Sequence, residues 1–192
     1  MTNNTHKDTE MQRDQIVLIE IVLGMDHYLI DSNIIEKFVP CPEAIMVHNA
    51  PPYVEGVAVI GDDEIPIINV TPLLGMGSAH TDVDDEKERI AMILPKGAII
   101  ESGIAVMVDK VQQLIKIEKD QIVKANIFGV SGIEDFVKGI IRLQIKEREN
   151  EVLLYLHLEK MLTELLQGKV SRPSQGFYVW RWTQFAKDES NP

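Results

Sequence analysis

The chain has 192 residues, with 30 acidic and 19 basic side chains and a formal net charge of −11. Its 45% hydrophobic and 26% charged residues are ordinary for a globular protein. The acidity disfavours sequence-independent binding to nucleic acid, because affinity for phosphate depends on Lys and Arg contacts. It also disfavours a polybasic membrane anchor. The single cysteine, Cys41, excludes an internal disulfide and a cysteine-rich zinc site.

The N-terminal segment, residues 1–14, is polar and has no hydrophobic period. It lacks the apolar centre of a secretory signal, so it predicts a disordered lead. No apolar run in the chain approaches the ~20 residues of a membrane-spanning helix. We therefore expect a cytoplasmic protein with no direct membrane insertion.

Short runs rich in Ile and Val, bounded by Gly, Pro or Asp, predict four strands in the first half of the chain, at 16–23, 28–30, 54–60 and 65–70. The sequence Gly61-Asp62-Asp63-Glu64 predicts a hairpin turn, because Gly accepts a positive φ and the acids prefer water. Residues 32–38 fit either one helical turn capped by Ser32 or an irregular strand. Residues 71–75, Thr-Pro-Leu-Leu-Gly, predict a capped helical turn.

An acidic stretch without apolar period, residues 76–88, predicts an exposed linker, and the strand pattern restarts after it. The predicted strands of the second half are 90–94, 104–108, 111–117, 136–143 and 151–156. Apolar residues at helical spacing then predict a closing helix over 157–166, with Gly168 as its stop. Two similar all-β halves of closely spaced short strands are typical of sandwiches or barrels.

The C-terminal segment from 167 to 192 is unusually aromatic. Residues 177–185 hold five of the chain's eleven aromatic side chains, and Tyr178, Trp180 and Trp182 alternate, so an extended strand would place these three on one face. Three interpretations remain open: an extra strand docked on the barrel, a strand added to a partner, or a disordered end.

Several segments, taken in order, resemble motifs of the CheW family of chemotaxis coupling proteins. In the first half they are Leu23-Gly24, Tyr28-x-Ile30-Asp31, Ile35 in the slot of "V-x-E", Pro51-Pro52-Tyr53-Val54-Glu55-Gly56-Val57 and Ile65-Pro66-Ile67-Ile68-Asn69-Val70. In the second half they are Gly103-Ile104-Ala105-Val106-Met107-Val108-Asp109-Lys110-Val111, Phe136-Val137-Lys138-Gly139-Ile140 and Leu153-Leu154-Tyr155-Leu156-His157-Leu158-Glu159-Lys160-Met161-Leu162. Each is a weak apolar pattern alone, but their order and spacing together are specific.

The resemblance implies an all-β fold of two SH3-like, five-stranded β-barrel subdomains with a short C-terminal helix. We expect a CheW-like domain at 15–166, with one subdomain at 15–75 plus 157–166 and the other at 89–156. The resemblance also implies a non-catalytic adaptor that joins the regulatory domain of a CheA-type histidine kinase to the cytoplasmic tip of a methyl-accepting chemoreceptor. No cofactor is implied.

The family's partner-binding positions fall here on Ile35, Lys37, Gly56, Val57, Gly61 and Asp62. Two of them carry changed chemistry: Lys37 replaces the family's Glu, and Gly61 replaces its Arg. Asn69 and His157 likewise replace family Asp residues. Because charged contacts set partner choice, these departures also fit a CheW-like scaffold of a non-chemotaxis two-component pathway.

The sequence offers no catalytic or metal-binding constellation, and we expect no enzyme. His80-x-Asp82-x-Asp84-Asp85-Glu86 lacks the spacing of an EF-hand and fits a solvated linker. The acids Asp62-Asp63-Glu64 fit a turn or a partner contact. Cys41 has no recognisable His partner, so we expect a buried or half-buried thiol. A small-ligand-binding module remains a further alternative, to be tested by thermal shift against a ligand panel.

Overall fold

The computed structural model describes residues 14–24, 26–51, 53–74, 89–124, 133–143, 148 and 151–168. Within them the strands are β1 (Gln15–Leu23), β2 (Asp26–Asp31), β3 (Lys37–Pro40), β4 (Val54–Ile60), β5 (Asp63–Asn69), β6 (Ile90–Leu94), β7 (Ile104–Val108), β8 (Lys110–Glu118), β9 (Val137–Arg142) and β10 (Val152–Leu156). One α-helix, α1 (Leu158–Leu166), follows the last strand. Turns of 3-10 helix cover Ser32–Ile34, Thr71–Leu74, Lys119–Gln121 and Glu134–Phe136.

These elements confirm the predicted all-β fold with a short closing helix. The segment after β2 combines both predicted alternatives, a 3-10 turn at Ser32–Ile34 and then the strand β3. The predicted disordered lead over 1–14, apart from Asp14, lies outside the described residues, as do the linker over 76–88 and the aromatic segment.

The strands form two five-stranded sheets. The order is β8-β1-β2-β10-β9 in the first, called barrel A, and β3-β6-β7-β5-β4 in the second, called barrel B. In each sheet a residue that follows one outer strand forms a bridge with the other outer strand. Val123, after β8, pairs with Ile140 of β9, and Ile45, after β3, pairs with Val57 of β4. Each bridge therefore closes its sheet into a barrel.

The sheet pairing divides the chain differently from the predicted subdomains at 15–75 and 89–156. Barrel A takes β1 and β2 from the first half and β8, β9 and β10 from the second, whereas barrel B is the continuous run from β3 to β7. The parallel pairs β2–β10 and β5–β7 produce this exchange. Pairing between strands that are distant in the chain depends on how their buried faces match, and the sequence pattern of a single strand does not specify its partner.

The two barrels repeat one pairing pattern. Across barrel B the register aligns Gly56, Ile67, Ala105, Ile93 and Lys37 in one row. Across barrel A it aligns Gly139, Tyr155, Leu29, Glu20 and Gln113. In each row the glycine adjoins both a register shift and the closing bridge. Barrel A is therefore a permuted copy of barrel B in its strand order, with barrel B inserted between β2 and β8.

A shared apolar core joins the barrels. It includes Ile21 and Ile30 from barrel A, Ile68 and Met92 from barrel B, and α1. Helix α1 buries Leu158, Met161, Leu162 and Leu165, a stripe at helical spacing. The hydroxyl of Tyr53 donates a hydrogen bond of 3.0 Å to the carbonyl oxygen of Leu165, which holds the end of α1 beside the start of β4.

The closing bridges require glycine. A Cβ atom on Gly56 would lie 2.5 Å from the carbonyl oxygen of Ile45, and one on Gly139 would lie 2.9 Å from that of Val123. Real Cβ atoms essentially never approach backbone atoms at 2.5 Å, so a side chain at Gly56 would push the bridge apart. By contrast, a Cβ on Gly61 would meet no heavy atom within 4 Å.

We therefore expect Gly56→Ala to lower the free energy of unfolding by roughly 3 kcal/mol or more, because it separates a closed barrel. Gly61→Ala is the matched control. Its φ of +70° strains an alanine without a clash, so its cost should be about 1–2 kcal/mol. Urea denaturation of both variants checks the difference. Equal losses for the two variants would contradict the closing role of Gly56.

Candidate partner-binding surface

The predicted partner-binding residues all lie on or beside barrel B, in two groups. Lys37 is the first residue of β3, which pairs with the end of β6, and Ile35 lies two residues before it. Gly61 and Asp62 form the turn between β4 and β5, and β5 runs parallel to β7. This topology places the two pairs at the same end of barrel B, together with the loop at 95–103. Gly56 and Val57 lie further along β4, at the closing bridge.

The end of barrel B that carries Ile35 and Lys37 is called the loop end. Ile35 is half-buried and packs on the shared core, whereas Lys37, Gly61 and Asp62 are exposed. Lys37 is 3.7 Å from the neighbouring carboxylate of Glu36, a pair that contributes little because both side chains are about half exposed. The loop end therefore combines one partly exposed apolar side chain, Ile35, with the exposed charged side chains of Lys37 and Asp62 around it.

One further ion pair ties the loop end together. Lys96 Nζ lies 2.6 Å from Asp63 Oδ1 and joins the 95–103 loop to the turn at Gly61 and Asp62. Gly61 has a φ of +70°, the conformation that the first central residue of a tight hairpin turn needs. The glycine at this position thus serves the turn, and no side chain projects from it toward a partner.

Alternation along β4 creates a second surface. Gly56 and Ala58 face the barrel interior, so Val57 and Val59 face outward. Ile45, opposite Val57, exchanges both backbone hydrogen bonds with it at 2.8 and 2.9 Å, so their side chains are neighbours. We name Ile45, Met46, Val57 and Val59 the bridge patch.

The bridge patch is the most exposed apolar surface among the described residues. Ile45 is 75% exposed, Met46 85% and Val59 63%. The exposed acids Glu43 and Glu64 flank it in the chain and in the β4–β5 register. Of these four residues, the sequence predicts only Val57 as a partner contact. A sequence feature that could have identified Ile45 and Met46 is the apolar run Ile45-Met46-Val47, which lies in a proline-containing connection between two strands.

Barrel A carries the equivalent bridge between Val123 and Ile140, and Val123 is 62% exposed. Each barrel thus presents an exposed aliphatic residue where its sheet closes. The described part of the molecule therefore has two exposed apolar positions related by the internal repeat.

A buried polar cluster fills one mouth of barrel A. Glu20 is fully buried and accepts hydrogen bonds from Arg148 Nη1 at 2.6 Å, His27 Nδ1 at 2.6 Å and Gln113 Nε2 at 2.8 Å. Arg148 also pairs with Glu151. Burial alone raises the pKa of Glu20, but the three hydrogen bonds and the Arg148 charge outweigh it and hold the pKa below its usual value.

A second polar cluster lies further along β2, where that strand ends. The hydroxyl of Tyr155 donates a 2.6 Å hydrogen bond to Asp31 Oδ1, and Lys138 forms an ion pair with the other oxygen of Asp31. Burial and the Asp31 carboxylate raise the pKa of Tyr155 above its usual range. Each charge in this cluster has an opposite partner, so the arrangement stabilises the barrel and leaves no activated group.

Two of the positions with changed family chemistry, Asn69 and His157, have a structural explanation in hydrogen bonding or burial. Asn69 Nδ2 donates to Glu55 Oε1 at 2.7 Å, and Asn69 Oδ1 accepts from Thr71 N at 3.0 Å. An aspartate at 69 would place two carboxylates together, so asparagine suits this site. His157 precedes α1, and burial together with the Lys138 charge lowers its pKa.

No catalytic or metal centre emerges from the described residues. They contain no group of three or more His, Cys, Asp or Glu side chains placed to hold a metal ion. Cys41 is half-buried, and burial raises the pKa of its thiol, which is the opposite of what a nucleophilic thiolate needs. The helices in the described ranges are too short or too polar to cross a membrane.

Comparison with known proteins gives one family and one fold. A family model described as "CheW-like domain" matches residues 17–166. The crystal structure of the scaffolding protein TtCheW from Thermoanaerobacter tengcongensis is similar, with a TM-score of 0.62 and 17% sequence identity over 83% of this chain and 93% of that chain. No curated protein sequence matches the chain.

The Glu20 cluster predicts an acid-sensitive contribution to stability. A carboxylate whose pKa is depressed in the folded state stabilises it above the unfolded pKa of about 4.5, and this contribution is lost as the pH falls through the lower folded pKa. Glu20→Gln should therefore cost roughly 2–3 kcal/mol at pH 7, since a buried hydrogen-bonded charge is removed. The cost should shrink as the pH falls below about 4.5.

Denaturant unfolding of the wild type and of Glu20→Gln between pH 7 and pH 3 checks this. Glu101→Gln, an exposed glutamate in the 95–103 loop, is the control and should lose almost nothing at any pH. A constant difference between wild type and Glu20→Gln across the range would show that the charge of Glu20 is not the source of the stability.

Proposed function

Because this chain belongs to the CheW-like domain family over residues 17–166, we propose that it is a non-catalytic chemotaxis adaptor in the cytoplasm. In this role it couples a CheA-type histidine kinase to the cytoplasmic tip of a chemoreceptor. The family match carries the proposal, and the two surfaces of barrel B supply a physical basis for binding two partners at once.

The bridge patch is our proposed contact for the regulatory domain of the kinase. Exposed aliphatic side chains on paired strands give a rigid apolar centre, and a polar rim surrounds it, as in stable protein interfaces. Single exposed apolar residues are common, but Ile45 and Met46 follow each other in the chain, and Val59 lies two residues from Val57, the bridge partner of Ile45. This clustering supports an interaction site. The flanking acids Glu43 and Glu64 favour a kinase surface with basic residues at its rim.

The loop end is our proposed contact for the receptor tip. Ile35 offers an apolar anchor beside Lys37, Gly61 and Asp62, and the 95–103 loop borders them. Lys37 reverses the family's charge, so the matching receptor should present an acid where a family receptor meets a glutamate. This pairing predicts a receptor that has diverged together with the adaptor.

A second candidate is a CheW-like scaffold of a non-chemotaxis two-component pathway. The specific observation that favours it is the exposure of Lys37 and Gly61 together at the loop end, where both differ from the family. In that case the bridge patch still binds the kinase, whereas the loop end binds a partner other than a chemoreceptor. Binding measurements with each partner separate the two candidates.

A crossed pair of substitutions tests the two surfaces. Met46→Asp should weaken binding of the kinase regulatory domain by at least roughly tenfold, because it charges the centre of the bridge patch. It should leave receptor binding unchanged. Lys37→Glu should weaken binding of a cognate receptor tip fragment about fivefold, as expected for ~1 kcal/mol from an exposed charge, and spare the kinase.

Isothermal titration calorimetry with each partner measures both effects. Leu114→Asp is the matched control, since Leu114 is exposed to a similar degree but lies on β8 of barrel A. A kinase domain that binds neither the wild type nor Leu114→Asp would contradict the chemotaxis proposal. Receptor binding lost while kinase binding persists would favour the second candidate.

A further inference from the structure

We propose that the aromatic segment, residues 177–185, docks on the bridge patch of its own molecule and covers it until a partner displaces it. The bridge patch is an apolar surface whose most exposed members, Ile45, Met46 and Val59, are left uncovered by the described residues. Ile45 and Met46 are at least three-quarters exposed, and Val59, which shares the outer face of β4 with Val57, is nearly two-thirds exposed. An apolar set of this kind is costly in water unless something covers it.

The fold places the aromatic segment within reach of the patch. Helix α1 ends beside the start of β4, where the Tyr53 hydroxyl bonds the carbonyl of Leu165 at 3.0 Å. Val57 lies four residues beyond Tyr53, about 13 Å along an extended strand. Phe177 lies nine residues beyond Gly168, and an extended chain of that length spans up to ~30 Å. The segment therefore leaves the fold near the surface that it is proposed to cover.

The composition of the segment suits that surface. Tyr178, Trp180 and Trp182 alternate, so an extended segment presents their rings on one side. Each aromatic ring buries roughly 150–250 Å² when covered, which matches a small patch of aliphatic side chains.

The charges are complementary as well. Residues 169–192 carry four cations (Lys169, Arg172, Arg181 and Lys187) and two acids (Asp188 and Glu189), which gives 4 − 2 = +2 within a chain of net charge −11. The exposed acids Glu43 and Glu64 flank the patch. The net positive charge of the segment favours docking beside the acidic residues of the bridge patch over docking on a basic surface.

The segment is also joined to the folded domain by a short tether. The tether gives a high effective concentration, so docking within one molecule precedes docking on a second copy at ordinary protein concentrations.

The consequence for regulation rests on the proposed function. A kinase regulatory domain that binds the bridge patch must first displace the aromatic segment, so its apparent affinity is reduced by the covered fraction. Removing the aromatic anchors should therefore strengthen kinase binding, even though they lie outside the folded domain matched by the family model.

Tryptophan fluorescence of the full chain tests docking directly, because both of its tryptophans, Trp180 and Trp182, lie in the segment. We expect wild-type emission to be blue-shifted and protected from acrylamide relative to the urea-unfolded chain. Met46→Asp and Val59→Asp should each shift the emission to the red and restore quenching. Leu114→Asp, the matched control on barrel A, should leave the signal unchanged, and melting temperatures should confirm that all variants are folded.

Three fluorescence results would overturn the proposal. The first is wild-type tryptophans as accessible to acrylamide as in urea. The second is release by Leu114→Asp as large as release by Met46→Asp. The third is protection that appears only as the protein concentration rises, which would assign the segment to a second copy.

Kinase binding forms a separate arm. Adding the kinase regulatory domain should expose the tryptophans to acrylamide, and a Trp180→Ala, Trp182→Ala double variant should bind that domain roughly three- to tenfold more tightly. Equal affinities would contradict the masking role. If no variant binds the kinase, the proposed function fails, whereas the response to Met46→Asp still decides whether the segment docks.

Discussion

The structure depends on the close approach of two backbones at each closing bridge. Ile45 meets Val57 in barrel B, and Val123 meets Ile140 in barrel A, and in both cases the neighbouring residue is a glycine with no room for a Cβ. Closure removes a sheet edge that would otherwise invite pairing with another chain. The same bridge turns the side chains of Ile45 and Val57 outward, so the constraint that closes barrel B also creates its bridge patch.

Because the two barrels repeat one pairing pattern, comparing equivalent positions shows which residues the fold requires and which belong to one barrel alone. In the shared row, barrel B places Ile93 where barrel A places the buried carboxylate of Glu20. Barrel B shows that an apolar residue satisfies this position, so the charge is not a requirement of the architecture. In barrel A the carboxylate instead binds Arg148, which belongs to the connection between β9 and β10. The cluster thus anchors that connection to the barrel mouth.

The sequence predicts local structure well because local structure follows short-range patterns. Short runs rich in Ile and Val, bounded by Gly, Pro or Asp, identify the strands, and the spacing of Leu158, Met161, Leu162 and Leu165 identifies α1. The division into barrels is different, since it depends on the parallel pairs β2–β10 and β5–β7, which join strands far apart in the chain. No short-range pattern distinguishes these pairings from a simple split into halves.

The candidate site was predictable only in part for similar reasons. The family resemblance selected Lys37 and Gly61 as partner-binding positions, and the structure places both, exposed, at the loop end of barrel B. It placed Gly56 among the partner contacts, whereas the structure gives that residue a backbone packing role. Ile45 and Met46 were missed because their exposure follows from the bridge, which a sequence does not display. Glu20 was missed because it lies inside the apolar run of β1.

We propose that a kinase regulatory domain docks on the bridge patch of barrel B. Amide hydrogen exchange, measured on the full chain with and without that domain, tests it most directly. We expect slower exchange in the bound state at 44–47 and 57–60 and no change on the outer strand β8 of barrel A. Protection confined to barrel A, or an unchanged bridge patch in a complex that forms, would contradict it.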